Sequence, residues 1–92
     1  MKFRVYQTAR CKKGLKRMLR RGKDIKKFTA VVRILANGEP LPQQYHDHGL
    51  VGNLAGLRDC HIESDWVLLY RYEGDALVLM LSDTGTHADL GL

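Results

Sequence analysis

Leu57-Arg58-Asp59-Cys60-His61-Ile62-Glu63-Ser64-Asp65-Trp66-Val67-Leu68-Leu69-Tyr70-Arg71-Tyr72 is the stretch whose reading decides the fold of this 92-residue chain. Two β-rich runs, Leu57 to Glu63 and Trp66 to Tyr72, are separated only by Ser64-Asp65, a connection short enough to force an antiparallel hairpin. A third run, Leu77 to Ser82, follows Glu73-Gly74-Asp75 and adds a second hairpin. Val67-Leu68-Leu69-Tyr70 and Leu77-Val78-Leu79-Met80-Leu81 are apolar at successive positions, which places both strands centrally, under a covering layer.

That layer comes from upstream. Phe3 and Val5 alternate with Arg4 and Tyr6 and predict a short strand that stops before Thr8, a candidate helix N-cap. Cys11, Leu15, Met18 and Leu19 then share one helical stripe, Lys12, Lys13, Lys16, Arg17, Arg20 and Arg21 take the other sides, and Gly22 ends the helix. Asp24 caps a second helix whose buried stripe is Ile25, Phe28, Val31, Val32 and Leu35. Asn37-Gly38 ends it, and Pro40 and Pro42 keep the following stretch extended. The expected fold is α+β: two N-terminal antiparallel helices packed on a small twisted antiparallel sheet. Thr84-Gly85-Thr86 reads as a turn leading into a short C-terminal helical turn at Ala88 to Leu90; its amides could bind phosphate, or it could be a plain turn.

Residues 1–92 are read as one domain, because a chain this short builds only one modest core. Its 45% apolar and 27% charged residues exclude the disordered and fibrous classes. The opening residues do not resemble a secretory leader and no apolar run approaches membrane-spanning length, so the expected location is the cytoplasm with no membrane partner. Cys11 and Cys60 form no Cys-x-x-Cys pair and are expected to be small core residues.

Charge divides the chain. Thirteen of the fifteen Lys and Arg residues lie in positions 1–33, where Asp24 is the sole acid; the other nine acids follow. Such one-sidedness is the footprint of a phosphate-backbone binder, and Lys12, Lys13, Lys16, Arg17 and Arg20 are the candidate RNA contacts. The plain alternative is a solvated helix face.

All four histidines lie between positions 46 and 87, beyond the cationic segment. His61 and Asp65 flank a strand end and a tight turn, where both can project at one rim of the sheet and share proton transfer. If His48 and His87 converge on the same rim, the set suffices for metal-free ribonucleolysis: a base for the ribose 2′-hydroxyl, an acid for the leaving 5′-oxygen, and a cation for the phosphorane. His46-x-His48 with His61 has zinc-ligand types, but without a cysteine pair or a helical His-x-x-x-His spacing no metal or other cofactor is expected. Trp66 either stacks a base or packs in the sheet.

Taken together, the basic helix pair, Leu41-Pro42, Tyr45, Asp47-His48, Leu50, Gly52, Gly56, Arg58-Asp59, His61, Asp65-Trp66 and Thr84-Gly85-Thr86-His87 resemble the YafQ-type toxins of the RelE/ParE superfamily. The resemblance implies a small α/β toxin of a type II toxin–antitoxin system that cleaves mRNA in the ribosomal A site and is held inactive by a cognate antitoxin. It places the catalytic positions on His48, His61, Asp65 and His87, with Trp66 also in the site. His87 becomes one proton-transfer partner, His61 with Asp65 the other or its orienting pair, and His48 the charge stabiliser. Two departures stand out: Gly91 replaces an aromatic residue after Leu90, and Asp83 replaces a basic residue before Thr84. The second would repel phosphate and shifts attention to Arg58 as a source of transition-state charge. The alternative function within the superfamily is a non-nucleolytic toxin that blocks a protein such as gyrase, or an RNA-binding module without catalysis.

Overall fold

The computed structural model describes residues 2–92. In chain order they form β1 (Arg4–Gln7), α1 (Ala9–Arg20), α2 (Ile25–Ala36), β2 (His48–Gly49), β3 (Arg58–Glu63), β4 (Trp66–Glu73), β5 (Val78–Gly85) and α3 (His87–Leu90), with short 3-10 turns at Gln43–Tyr45, Gly52–Leu54 and Gly74–Ala76. The five strands make one sheet in the order β1-β5-β4-β3-β2. The β3–β4–β5 meander is antiparallel as the short connections require. β1, however, runs parallel to β5, Arg4 opposite Val78 and Gln7 opposite Leu81, so the sheet is mixed at this edge.

Side chains alternate across a strand, and one set of alternate positions makes the core. Cys60, Ile62, Trp66, Leu68, Tyr70, Leu79 and Leu81 face Cys11 and Met18 of α1 and Phe28, Val31 and Leu35 of α2. Each fully buried side chain of Val or Leu size contributes about 1.5–3 kcal/mol to this layer. Two positions expected in the helical stripes, Leu19 and Ile25, are about two-fifths exposed, because each lies at the margin of its stripe. Both cysteines are buried.

α1 is fastened to β5. Thr8 caps α1 by accepting from the Cys11 N–H at 3.1 Å and donates its hydroxyl hydrogen to the Ser82 carbonyl at 2.8 Å. Further along, a Cβ on Gly14 would lie 2.1 Å from the Thr84 carbonyl oxygen, so only glycine permits this approach. At the other end of the layer, the Tyr72 hydroxyl donates to the Leu35 carbonyl at 2.7 Å.

Both boundaries of β5 differ from the sequence reading. Leu77 takes a left-handed conformation, φ 52°, at the end of the Gly74–Ala76 turn, so β5 starts at Val78. It runs on through Thr84 and Gly85 rather than turning there, because Thr84 pairs with Leu68 and Gly85 with Val67. No described helix is long and apolar enough to cross a membrane.

Candidate active site

His61 stands where β3 becomes irregular. Its pairing with β4 slips between His61 and Glu63, a bulge of the kind that re-aims side chains beside functional sites. Alternation sends His61 to the same face as Asp59, away from Cys60 and Ile62, which belong to the core. β2 sets His48 opposite Asp59, so it joins this face.

Asp59 lies between the two imidazoles. Its side chain is 5% exposed; Oδ1 is 3.5 Å from His61 Nε2 and Oδ2 4.0 Å from His48 Nε2. Oδ1 is buried without a hydrogen-bond donor. Leaving such an atom unpaired is costly, and the cost falls when an imidazole closes on it with a proton. The His48 ring is steered from its other side: Nδ1 lies 2.7 Å from the His46 carbonyl, which can only accept, so this nitrogen carries hydrogen. His46 reaches that position with φ 50°, a left-handed conformation that costs a residue with a Cβ about 1–2 kcal/mol.

His87 arrives from the other side. Since Val67 of β4 pairs with Gly85 of β5, the residues after Gly85 pass beside the β3–β4 turn. There Asp65 Oδ1 accepts from the His87 backbone N–H at 2.9 Å and meets His87 Nδ1 at 2.6 Å. The backbone N–H first, and then the ring, hold the Asp65 carboxyl below the usual carboxylate range. A carboxylate has no hydrogen to give, so Nδ1 is the protonated nitrogen and Nε2 is left for chemistry. The His61 and His87 rings meet edge-on with centroids 5.0 Å apart, and His46 lies 5.5 Å from His61. A cleft of about 620 Å³ lined by Tyr45, His46, His48, His61 and Ser64 opens beside them.

The structure thus links His48, His61, Asp65 and His87 in one chain of neighbours, but not in the expected pairing. Asp65 serves His87, and the carboxylate beside His61 is Asp59. Asp65 sits at the hairpin tip, within reach of the turn after β5, whereas Asp59 shares the strand and the face of His61. Sequence reasoning gave Asp59 no role, although its i, i+2 relation to His61 in a predicted strand was the signal. His46, which the sequence offers only as a zinc-ligand type, instead steers the His48 ring through its carbonyl.

Two expected RNA contacts are corrected. Trp66 is fully buried, stacked on Phe28 at 6.2 Å, with its indole N–H donated to Thr84 Oγ1 at 2.9 Å; it is a core residue and presents no face to a base. Arg58 points to the opposite side of β3 from the histidines. There its guanidinium meets the Asp47 carboxylate at 3.2 and 3.3 Å, and the Tyr70 hydroxyl donates to the same carboxylate. It is not a source of charge at the imidazole pair. Lys12, Lys13, Lys16, Arg17 and Arg20 are exposed along α1, and Arg17 lies 3.8 Å from Asp89.

Of the two departures, Asp83 shares a cleft with Arg10, Lys13 and Arg17. Burial pushes its carboxyl up against the opposing pull of the Thr84 N–H and of Arg10 and Arg17, so cations of α1 face it. Gly91, φ 71°, ends α3 in the left-handed conformation that glycine adopts without strain.

A small α+β chain with paired imidazoles on one sheet face and cations on a helix is matched over residues 3–91 by a family of bacterial toxins of type II toxin–antitoxin systems. Within that class the chain belongs to the YafQ family. It is 40% identical over 79 residues to the mRNA interferase toxin YafQ of Escherichia coli K12, covering 85% of this chain and 84% of that one. The E. coli DinJ–YafQ toxin–antitoxin complex superposes with a TM-score of 0.87 at 36% identity over 98% of both chains. A metal-bound toxin from Helicobacter pylori superposes with a TM-score of 0.90 at 33% identity, over 96% of this chain and 98% of that one.

Proposed function

We propose that this toxin is an endoribonuclease that cleaves mRNA on the ribosome by acid–base chemistry of its own side chains. It acts in the cytoplasm as one domain, residues 1–92, and a cognate antitoxin holds it inactive. The observation that carries the reading is the His61–His87 pair, two imidazoles 5.0 Å apart, each beside its own carboxylate. Two such groups serve both proton transfers of an RNA transesterification. One imidazole takes the ribose 2′-hydroxyl proton as the 2′-oxygen attacks phosphorus; the other protonates the departing 5′-oxygen. The products are a 2′,3′-cyclic phosphate and a 5′-hydroxyl.

Asp65 fixes the tautomer and direction of His87, Asp59 sets its carboxylate between His48 and His61, and His48 supplies positive charge to the phosphorane. Lys12, Lys13, Lys16, Arg17 and Arg20 bind RNA phosphates by counterion release. Among the described residues no group of three His, Cys, Asp or Glu side chains is spaced to hold a metal ion. The mRNA substrate and the antitoxin are supported by a relative named as an mRNA interferase and by another solved with its antitoxin.

Inducing the chain and its His87→Ala variant in bacteria, while mapping new RNA 5′ ends and ribosome positions, tests the reading. Wild-type cuts should fall within translated codons, and the variant should lose them by about 10²–10⁴-fold. Equal cutting by both chains would remove His87 from the mechanism.

A further inference from the structure

The geometry points to Arg21 and Asp89 as positioning residues for His87. This rests on the reading of His87 as a proton-transfer group. Arg21 is the C-cap residue of α1, and its guanidinium grips Asp89 of α3 with two prongs, Nη1 to Oδ2 at 2.7 Å and Nη2 to Oδ1 at 3.2 Å. Asp89 in turn closes the turn that carries His87: Oδ2 accepts from the Thr86 N–H at 3.0 Å, while the Asp89 N–H donates to Thr86 Oγ1 at 3.0 Å. The fit is tight, since a Cβ on Gly85 would lie 2.9 Å from Asp89 Cβ.

α3 has only four residues, far fewer than a helix needs to hold itself in water. Two side-chain anchors fix it instead. Asp65 holds His87 from the β3–β4 turn, but its side chain is 62% exposed. Arg21 holds Asp89, whose side chain is only 16% exposed, and thereby ties the turn to a twelve-residue helix. Ion pairing near the surface, here from Arg21 at 2.7 Å with Arg17 3.8 Å from the same carboxylate, adds little to global stability. Its effect is local: it sets where the His87 ring stands relative to His61. Small displacements of a reacting group cost large factors in rate.

Cleavage of mRNA on purified ribosomes by wild type, Arg21→Gln, Arg21→Lys, Asp89→Asn and the Arg21→Gln/Asp89→Asn double variant provides the test. In parallel, the His87 Nδ1 proton is followed by NMR in the free toxin. Arg21→Gln should lower kcat on the order of tenfold with KM held within about twofold, and Arg21→Lys should recover most of the loss. The double variant should be no slower than its slower parent. The Nδ1 proton, sharp when held by Asp65, should broaden in Arg21→Gln. A higher KM with unchanged kcat would make Arg21 a phosphate contact and overturn the proposal. Should the wild type itself fail to cut, the nuclease reading falls and the Nδ1 proton decides alone: a signal unchanged in Arg21→Gln overturns the positioning role, and a broadened one supports it.

Discussion

Replacing Trp66 by phenylalanine separates packing from RNA contact at the residue where the two were hardest to tell apart. Phenylalanine keeps an aromatic ring against Phe28 but removes roughly 40 Å³ of side chain. At about 24 cal/mol per Å³ of residual cavity this costs about 1 kcal/mol. It also removes the indole N–H that Thr84 Oγ1 accepts. The Thr84 hydroxyl keeps its own bond to the Val67 carbonyl at 2.7 Å, so the loss is one neutral hydrogen bond, about 1 kcal/mol. The sum, about 2 kcal/mol, lowers the unfolding midpoint of a chain this size by roughly 8–16 °C. Thermal unfolding by circular dichroism measures that drop, and cleavage per folded molecule well below the midpoint should stay within about threefold of wild type. An unmoved midpoint with cleavage abolished would refute the reasoning and return Trp66 to the RNA-binding surface.

Gly14→Ala should push α1 away from β5, because the new methyl would meet the Thr84 carbonyl; overpacking of this kind costs about 1–3 kcal/mol, read as a lower denaturant midpoint. Asp59→Asn should lower kcat by ten- to a hundred-fold with the fold retained, since an amide gives His48 and His61 no charge to face; an unchanged rate constant would remove Asp59 from the mechanism. Acid should destabilise the protein through Asp65, Glu63 and Asp89, all held below the usual carboxylate range by His87, by Lys23 and Lys27, and by Arg21 respectively. A depressed folded-state value favours the ionised native form, so this stability is complete above about pH 4.3 and is lost as pH falls further. The midpoint should therefore drop between about pH 4 and pH 2, and less steeply in Asp89→Asn.

Local pattern was enough for the helices and the meander. The spacing of Cys11 and Met18 and of Phe28, Val31 and Leu35 is fixed by the helical period, and two- and three-residue links leave strands no choice but to turn back. The parallel pairing of β1 was not legible, because four residues that alternate in hydropathy do not say which distant edge they will join. Thr84 and Gly85 misled in another way. Thr-Gly is ordinary turn chemistry, and it is the pairing of Thr84 with Leu68 and of Gly85 with Val67 that makes it strand. In the site, the histidines were visible as a type of residue, whereas the partners of Asp59 and Arg58 were set by which face of the sheet each occupies, and that of Asp65 by which turn comes to lie beside the hairpin tip. A charged pair written Arg58-Asp59 looks like one surface feature, yet the strand sends the two side chains to opposite faces.

The parallel β1–β5 ladder also bears on the order of assembly. Arg4 pairs with Val78 and Gln7 with Leu81, so this edge closes only after most of the chain has been gathered into a loop, while β3, β4 and β5 meet through connections of a few residues. Loop-closure entropy favours the near contacts first. His61, Asp65 and His87 belong to the meander and the turn that follows it, whereas α1, with its cations, hangs between β1 and the rest. Loop closure therefore favours the meander that carries the imidazoles forming ahead of the β1 edge, the edge whose pairing brings α1, and with it Arg21, against β5.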